Sequence, residues 1–308
     1  MSSIQLLLVA GTHGNEINAP WIFDQWQKDL NLIDQSGLKV VAEIGNPDAR
    51  EKVQRYLDRD LNRSFLRENL NSSQVNCIEI DRARELVDKY GQYGSNPCQI
   101  VIDLHSTTSS MGTSLVVYGR RPVDLALVSL IQNRLGVPIY LYEGDLSQQG
   151  FMVESWPCGF VVEIGPVPQG LLHSRIISQT FHTVKSCIEE ISKYINCGAS
   201  FPEKLLVHRH LKNIDFPRDS LGRPSAFIHS DLQGRDWYPI RYGHPLFTDL
   251  NGNEIRFLDQ SLESEEVVPV FINEAAYVEK NIAMSLTKRE VLTFDPAWKD
   301  ALYRLIGS

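Results

Sequence analysis

The chain has 308 residues, of which 43% are hydrophobic and 22% are charged, which is ordinary usage for a globular protein. A chain of this length buries a large core without disulfide bonds, and it predicts one large domain or two unequal ones. Lys and Arg number 30 and Asp and Glu number 38, which gives a net charge of −8. This acidic balance argues against nucleic-acid and anionic-membrane partners. The net negative charge of the protein repels a polyanion, and there is no excess of Lys and Arg to bind it.

The start of the chain has neither the basic segment nor the long apolar core of a secretion signal, since its apolar run ends at Ala10. No apolar stretch approaches the roughly 18 residues of a membrane span. The five cysteines are odd in number and form no C-x-x-C pair, which indicates free thiols in a reducing compartment. We therefore expect a cytoplasmic protein without a membrane partner.

Six short apolar runs in the first two-thirds of the chain predict β-strands that are buried on both faces. They lie at residues 4–10, 39–44, 99–104, 114–118, 139–142 and 160–164. Four helical patterns separate these runs: one from residue 18, one at 73–90 with Ser72 or Ser73 as N-cap, one at 122–135 and one at 174–196. Such alternation predicts an α/β layer architecture with a mostly parallel sheet.

Beyond residue 202, clusters of turn-forming residues replace the long helical patterns. Short strand-like runs lie between these clusters, at 226–229 and 267–272. A final amphipathic helix is predicted to begin at Asp295 and Pro296, an N-cap followed by proline at the first helical position. We therefore expect an α/β domain over residues 1–202 and a smaller, mainly β domain over residues 203–308.

The first predicted strand is followed by the sequence GTHGNE at residues 11–16. Open α/β sheets place ligands at the carboxyl ends of their strands, where His13 and Glu16 could face one metal ion. Eight histidines at an acidic frequency of 38 in 308 predict about one such pair by chance. A polar turn without a ligand role is therefore the alternative.

The predicted strand at 99–104 is followed by His105, just as the first strand is followed by His13. His13, Glu16 and His105 form a set of three ligands with an open fourth position, which is the pattern of catalytic zinc. Asp103 would then be either a carboxylate that holds a ligand histidine or a local structural acid. The alternative is that His105 only caps a strand.

Glu163 lies inside the apolar run at 160–164, where a carboxylate is costly to bury unless it is paired or functional. Apolar surroundings raise the pKa of a carboxyl group toward values that suit proton transfer. Glu163 is therefore a candidate for proton transfer. The alternative is a Glu that pairs with a neighbouring Arg.

Four arginines recur at intervals of four residues: Arg55, Arg59, Arg63 and Arg67. On a helix they would form one solvated and mutually repelling face, and composition alone favours this interpretation. The alternative is a loop that aims one or two guanidinium groups at an anionic ligand, since guanidinium binds carboxylate bidentately.

These motifs together resemble the aspartoacylase branch of the aspartoacylase/succinylglutamate desuccinylase family, which is itself similar to zinc carboxypeptidases. The resemblance runs over most of the chain. Besides GTHGNE it rests on NP at 46–47, RYLDRDLNR at 55–63, DLH at 103–105, EIGP at 163–166, FPRD at 216–219, IH at 228–229, LQ at 232–233, DW at 236–237 and NEAAY at 273–277.

The resemblance implies a zinc-carboxypeptidase-like mixed sheet flanked by helices, with the smaller domain covering the active site. It implies one zinc ion per subunit, held by His13, Glu16 and His105. Glu163 would be the general base and later the general acid. Arg55 would polarise the acyl carbonyl and hold the oxyanion.

The resemblance also implies the substrate contacts. Asn62 and Arg63 would hold the α-carboxylate of the amino-acid part, and Tyr277, with Glu274 beside it, would line the pocket mouth. Residues 55–63 would then be a loop over the site and not a helix.

The implied reaction is hydrolysis of a small anionic N-acyl amino acid, with N-acetyl-L-aspartate as the best single expectation. One alternative keeps the chemistry on N-succinylglutamate or an N-acetylated aromatic amino acid. Another is a zinc-dependent carboxylate-binding protein without turnover. A homo-oligomer is possible on this resemblance.

One departure concerns the carboxylate of the substrate side chain. Vertebrate aspartoacylases hold it with an Arg about ten residues before the catalytic Glu, but residues 148–154 of this chain contain no basic residue. Arg59, Lys52 or a residue of the second domain are the candidates for this role.

The six histidines outside the ligand set are expected to have other positions. We expect a structural His182, surface or turn positions for His173, His208 and His210, and an approach to the pocket by His229 and His244.

Overall fold

The computed structural model of the chain describes residues 4–28, 37–71, 77–144 and 149–306. These residues form a mixed sheet of nine strands flanked by helices, and a separate sheet of three short strands. The predicted α/β class, with a β-rich C-terminal part, is confirmed.

The twelve strands of the described residues are numbered in chain order. They are β1 Ile4–Ala10, β2 Leu38–Ile44, β3 Ile100–Ser106, β4 Thr113–Tyr118, β5 Ile139–Tyr142, β6 Cys158–Ile164, β7 Lys204–Ile214, β8 Phe227–Ile228, β9 Pro245–Thr248, β10 Glu254–Arg256, β11 Val268–Val270 and β12 Met284–Thr293. The helices are α1 Asn18–Trp26, α2 Pro47–Glu51, α3 Arg67–Asn71, α4 Ile78–Tyr90, α5 Pro122–Leu135, α6 Ser174–Cys197 and α7 Pro296–Ile306.

The large sheet has the order β11-β12-β7-β5-β4-β6-β3-β1-β2. Strands β2, β1, β3 and β6 are parallel to one another, and β4 reverses direction beside β6. Because β1, β3 and β6 are parallel neighbours, their carboxyl ends meet at one edge of the sheet. This edge positions the candidate site.

Both faces of the sheet are covered, which explains why its central strands are continuously apolar. Along β1, Leu6 and Leu8 point to a core formed with α1, α5, α6 and α7. Leu7 and Val9 point to a second core, which includes Leu86 of α4. Alternate side chains of one strand therefore stabilise two different layers.

The six strands predicted from apolar runs are all present, with ends that differ by at most two residues. The predicted helix at 73–90 is observed as Ile78–Tyr90, and its expected N-cap, Ser72 or Ser73, lies outside the described residues. Asp295 caps α7 as predicted, since its carboxylate accepts a hydrogen bond from the Ala297 N–H at 2.8 Å.

Two long strands beyond residue 202, β7 and β12, were not predicted from the sequence. Polar or charged residues interrupt the apolar residues of both strands, KLLVHRHLKNI and MSLTKREVLT, so neither contains a long continuous apolar run. Both strands belong to the large sheet. The chain beyond residue 202 therefore contributes to the large sheet as well as forming the small one. The domain boundary at residues 202 and 203 stays a prediction.

The expectation that His208 and His210 are surface or turn residues is wrong. Both are buried in β7, with 8% and 4% of their surface exposed. The ring of His208 lies 4.9 Å from that of Trp237, and Nδ1 of His210 is 2.9 Å from the Tyr140 hydroxyl. Burial lowers the pKa of His208 to about 4, so this imidazole is neutral at pH 7.

All five cysteines are free thiols, as the sequence predicts. Among the described residues, no helix combines the length and the apolar character needed to cross a bilayer.

Candidate active site

The structure places all nine residues predicted for the site around one pocket at the edge of the sheet. They are His13, Glu16, Arg55, Asn62, Arg63, His105, Glu163, Glu274 and Tyr277. Registers between strands explain part of this convergence, because His105 of β3 lies directly opposite Glu163 of β6. The remaining residues come from the turn after β1, the loop before α3 and the segment after β11.

Glycine allows the turn after β1 to approach its neighbours closely. A Cβ on Gly14 would lie 2.1 Å from the carbonyl carbon of Ala49, which no side chain can tolerate. The N–H of Gly14 donates to the carbonyl of Arg55 at 3.1 Å. The turn that carries His13 and Glu16 is therefore packed directly on the segment that leads to Arg55.

Nitrogen and oxygen atoms of three side chains, His13, Glu16 and His105, face one another in this pocket. Nδ1 of His13 is 2.6 Å from Oε1 of Glu16 and 3.1 Å from Nδ1 of His105, which is itself 3.2 Å from Oε2 of Glu16. All three side chains are buried. Such a set is stable only around a shared cation or proton, so the geometry fits one metal ion.

Each histidine of the set has a carboxylate on its other ring nitrogen. Nε2 of His105 is 2.7 Å from Asp103, as the sequence predicts, and Nε2 of His13 is 2.9 Å from Asp60. A proton held on Nε2 leaves Nδ1 with its lone pair toward the ligand set. Sequence analysis assigned Asp60 no contact with a histidine, so this contact was missed.

The carboxylates and imidazoles of the ligand set stabilise each other's charged forms. Burial alone would raise the pKa of Glu16, but the imidazoles of His13 and His105 lower it well below its ordinary value. Burial alone would lower the pKa of His105, but Asp103 and Glu16 raise it well above its ordinary value. The carboxylate of Glu16 is therefore ionised throughout the physiological range.

Glu163 differs from the other carboxylates of the pocket because no basic partner compensates its burial. Among the described residues its carboxylate has no hydrogen bond and no ion pair, so the alternative of pairing with an Arg is not observed. Burial raises the pKa of Glu163 to about 8, and the nearby Glu16 and Glu274 add to this effect against the opposing His105 and Arg55. A carboxyl group in this state can exchange a proton near neutral pH.

Residues 55–63 form a loop that ends in a 3-10 turn, Leu61–Arg63, and not the helix that composition favoured. Asp60 caps this turn, because its carboxylate accepts a hydrogen bond from the Asn62 N–H at 3.0 Å. The loop implied by the family resemblance is therefore observed, and its arginines do not share one face.

Arg55 is positioned by two carboxylates and retains an unused donor. Its guanidinium lies 3.4 Å from Glu16 and 3.6 Å from Asp60. Its Nε is buried and has no hydrogen-bond partner among the described residues. An unsatisfied buried donor is costly, so this N–H is available to a ligand oxygen.

Arg63 stacks on an aromatic pair that sequence reasoning missed. Its guanidinium carbon lies 3.8 Å from the ring centre of Phe151, and the other face of that ring stacks on Tyr118 at 3.7 Å. Tyr118 lines the pocket. Next to Arg63, the side-chain oxygen of Asn62 accepts a hydrogen bond from the Met152 N–H at 2.9 Å, so its amide nitrogen is the group left for a ligand.

Glu274, in the C-terminal part of the chain, forms hydrogen bonds with the loop that follows β3. Its Oε2 accepts hydrogen bonds from the N–H groups of Thr108 and Ser109, at 2.8 and 3.1 Å, and its Oε1 accepts one from Ala276 N–H at 3.1 Å. The last bond caps the 3-10 helix Ala275–Lys280, which carries Tyr277. Both oxygens are thus already engaged, so Glu274 acts on the pocket mainly by fixing Tyr277.

The same 3-10 helix brings a further cation, Lys280, into the pocket. Its ammonium is 3.5 Å from Asp60, and burial lowers its pKa to about 8. Of the candidates suggested by the sequence, Arg59 and Lys52 do not line the pocket, whereas Lys280 lies in the predicted second domain, which was the third candidate. His229 and His244 do not line the pocket either. The sequence did not single out Lys280 within that domain, although its spacing of three from Tyr277 was a signal.

Comparison with known proteins places the chain in a family. Its residues 2–191 match the succinylglutamate desuccinylase/aspartoacylase catalytic domain, and residues 203–289 match the AstE/AspA barrel-sandwich hybrid domain. A protein of Prochlorococcus marinus named "Probable aspartoacylase" is 64% identical over 307 residues, which cover 100% of both chains. A protein of Synechococcus sp. with the same name is 50% identical over 308 residues, again covering 100% of both chains.

The fold of the chain is similar to that of several solved structures. Murine aminoacylase 3 is 29% identical with a TM-score of 0.86, covering 96% of this chain and 98% of that chain. The succinylglutamate desuccinylase of Chromobacterium violaceum is 16% identical with a TM-score of 0.64, covering 94% and 85%, and shows the shared fold.

The fold and pocket therefore belong to the deacylase class of amidohydrolases. The chain is a member of the succinylglutamate desuccinylase/aspartoacylase family, and the resemblance inferred from its motifs is confirmed.

We predict that Asp60→Asn weakens Zn²⁺ binding, because an amide would favour the wrong tautomer of His13. The expected loss of affinity is about 10- to 100-fold, as for other carboxylates that hold ligand histidines. Titration of the metal-free protein with Zn²⁺ measures it, with Asp48→Asn, an exposed residue of α2, as the matched control. Equal affinities in the two variants would contradict the role of Asp60.

Proposed function

We propose that the chain is a zinc-dependent amidohydrolase that removes the acyl group from a small anionic N-acyl amino acid. N-Acetyl-L-aspartate is the substrate that the site supports best. The observation that carries this proposal is the combination, in one pocket, of a three-ligand metal set, a Glu163 without a partner among the described residues, and three cationic side chains, Arg55, Arg63 and Lys280.

Zinc is the metal that the donor set fits best, since two imidazole nitrogens, one carboxylate and an open position are typical of catalytic zinc. His13, Glu16 and His105 would hold one ion per subunit. When bound, zinc lowers the pKa of a water molecule to about 7 and polarises the acyl carbonyl.

Glu163 is proposed to move the proton. It accepts a proton from the attacking water and returns it to the amide nitrogen, which leaves as the free amine. These two transfers require a carboxyl group that ionises near the working pH, and the burial of Glu163 provides this property. A protein that only bound carboxylates would have no need of a proton-transfer group in this pocket, so Glu163 argues against the non-catalytic alternative.

Arg55 and Arg63 are proposed to act on the two ends of the substrate. The unused Nε–H of Arg55 donates to the acyl oxygen as negative charge develops there. Arg63, held flat on Phe151, and the amide of Asn62 bind the α-carboxylate, which every N-acyl amino acid presents. Tyr277 closes the pocket from the second part of the chain.

Lys280 is proposed to bind the carboxylate of the substrate side chain, in place of the Arg that this chain lacks. It is the cation that lines the pocket beyond Arg55 and Arg63 among the described residues. This third positive group favours an aspartyl side chain over an aromatic one, although Tyr118, Phe271 and Tyr277 also line the pocket. An N-acetylated aromatic amino acid is therefore the competing substrate.

We predict that Glu163→Gln keeps its fold and its zinc, because the replacement is nearly isosteric, but loses about 10²- to 10⁴-fold in kcat. Steady-state hydrolysis and metal analysis of the same preparation measure both properties. Retention of more than half of the parent rate would show that another group is the base.

We predict that Lys280→Gln lowers the preference for N-acetylaspartate over N-acetylalanine by about 10- to 100-fold, from the roughly 1.5–3 kcal/mol of a hydrogen bond to a charged group. Lys52→Gln, which removes a cation outside the pocket, serves as the control. If the preference changed in the control and not in Lys280→Gln, the assignment of Lys280 would be wrong.

The same contact predicts a pH dependence. The ammonium of Lys280 is protonated below its pKa of about 8 and loses its charge as the pH rises through that value. The ratio of kcat/KM for N-acetylaspartate to that for N-acetylalanine should therefore fall above pH 8 in the parent. The ratio should be flat over this range in Lys280→Gln.

A further inference from the structure

A buried carboxylate outside the pocket holds the middle of the substrate loop. Glu79, in the first turn of α4, has no exposed surface. Its Oε1 accepts a hydrogen bond from the Leu57 N–H at 2.7 Å, and its Oε2 accepts from the N–H groups of Asp58 and Arg59 at 3.1 and 3.2 Å. Three consecutive backbone donors of the loop are thus satisfied by one side chain.

Hydrogen bonds between the loop and α4 run in both directions. The carboxylate of Asp58 accepts a hydrogen bond from the N–H of Ile78, at the start of α4, at 2.9 Å. A carboxylate bound by several N–H groups in the first turn of a helix is stabilised without a cationic partner. Among the described residues Glu79 indeed has no ion pair, and its charge is balanced by these dipoles.

Asn46, of the motif NP to which sequence analysis gave no role, links Glu79 to the metal-binding turn. Its side-chain amide donates to Oε1 of Glu79 at 3.1 Å, and its side-chain oxygen accepts from the Ala49 N–H at 3.2 Å. Its backbone N–H donates to the carbonyl of Gly11 at 2.9 Å. One chain of hydrogen bonds therefore runs from the turn after β1, through Asn46 and Glu79, to residues 57–59.

Residues 57–59 lie between the groups proposed to bind the substrate, since Arg55 precedes them and Asn62 and Arg63 follow them. Residues 57–59 themselves belong to no helix or strand. Their backbone donors would otherwise be unpaired or satisfied by water, and the spacing of the side chains at the two ends of the loop would then vary.

We propose that Glu79 is a positioning residue, which, together with Asn46, sets the spacing of Arg55, Asn62 and Arg63 and so the grip of the pocket on the substrate carboxylate. This inference rests on the proposed function for the roles of those three residues. The anchoring itself rests only on the hydrogen bonds of Glu79.

A second metal site at this position is not supported, although Asp58, Cys77 and Glu79 lie close together. The oxygens of Glu79 already accept four hydrogen bonds from N–H groups. The carboxylate of Asp58 is engaged by Ile78. Oxygens committed to these donors have few lone pairs left for a cation.

The test compares Glu79→Gln with Glu85→Gln. An amide at position 79 keeps the volume but has one acceptor oxygen, and its NH₂ group would face backbone donors. Glu85 lies on the same helix with 61% of its side chain exposed, so it is a matched control. Both variants are examined as the full-length, zinc-loaded protein.

The first measurement is amide hydrogen exchange, which does not depend on activity. In Glu79→Gln the amides of residues 57–59 should exchange about 10- to 100-fold faster, as expected for a lost bond to a charged group. Exchange in β1 and zinc content should match the control. Unchanged exchange at 57–59 would overturn the anchoring role.

The second measurement is the division of the effect between KM and kcat. We expect KM for N-acetylaspartate to rise about 10-fold or more in Glu79→Gln, with a smaller change in kcat, because the carboxylate grip is lost while Glu163 and the ligand set are intact. Glu79→Asp, which keeps the charge, should recover part of this loss. Faster exchange with unchanged KM would show an anchor without a role in binding and overturn the proposal.

Two further outcomes are distinguishable. If Glu79→Gln does not fold, Asn46→Ala, which removes one donor from the carboxylate, should show the same changes at smaller size, and their absence would overturn the proposal. If the parent protein hydrolyses no N-acyl amino acid, the proposed function fails, while the exchange measurement still decides whether Glu79 holds the loop.

Discussion

The burial of carboxylates at one edge of the sheet is the constraint on which the rest of the structure depends. Removing a carboxylate from water is costly unless donors or cations replace the water. Asp60 and Asp103 are compensated by histidines, and Glu79 and Glu274 by backbone N–H groups. Each compensation fixes a segment of the pocket wall. Glu163 differs from these carboxylates because it has no partner among the residues that the structure describes, and burial raises its pKa to about 8.

This division of roles explains how a pocket made largely of loops can hold a fixed geometry. The turn after β1, the loop at 55–63 and the segment after β11 have little regular structure. Their order comes from side chains that reach back to neighbouring backbone, chiefly Asn46, Glu79 and Glu274. The strands form a rigid edge of the sheet. The hydrogen bonds of the buried carboxylates hold the residues proposed to bind the substrate in fixed positions next to this edge.

Much of the fold and the site was predictable from the sequence because both depend on local patterns. Continuous apolar runs located β1 and its neighbours, and side chains directly after such strands, such as His13 and His105, converged as parallel strands require. The strand β7 was missed because basic and polar residues interrupt its apolar residues. Lys280 and Glu79 were missed because only contacts distant in sequence give them a role, and the helical spacing of the arginines was overruled by such contacts.

The most direct test of the account is the steady-state hydrolysis of a small panel by the parent protein, zinc-loaded and after chelation. The panel consists of N-acetylaspartate, N-acetylalanine and N-acetyltyrosine. We predict zinc-dependent turnover, lost on chelation and restored by Zn²⁺, with kcat/KM highest for N-acetylaspartate. Equal rates for aspartate and alanine would contradict the substrate assignment, and the highest rate for tyrosine would favour the aromatic alternative. No zinc-dependent hydrolysis of any of the three would contradict the central claim.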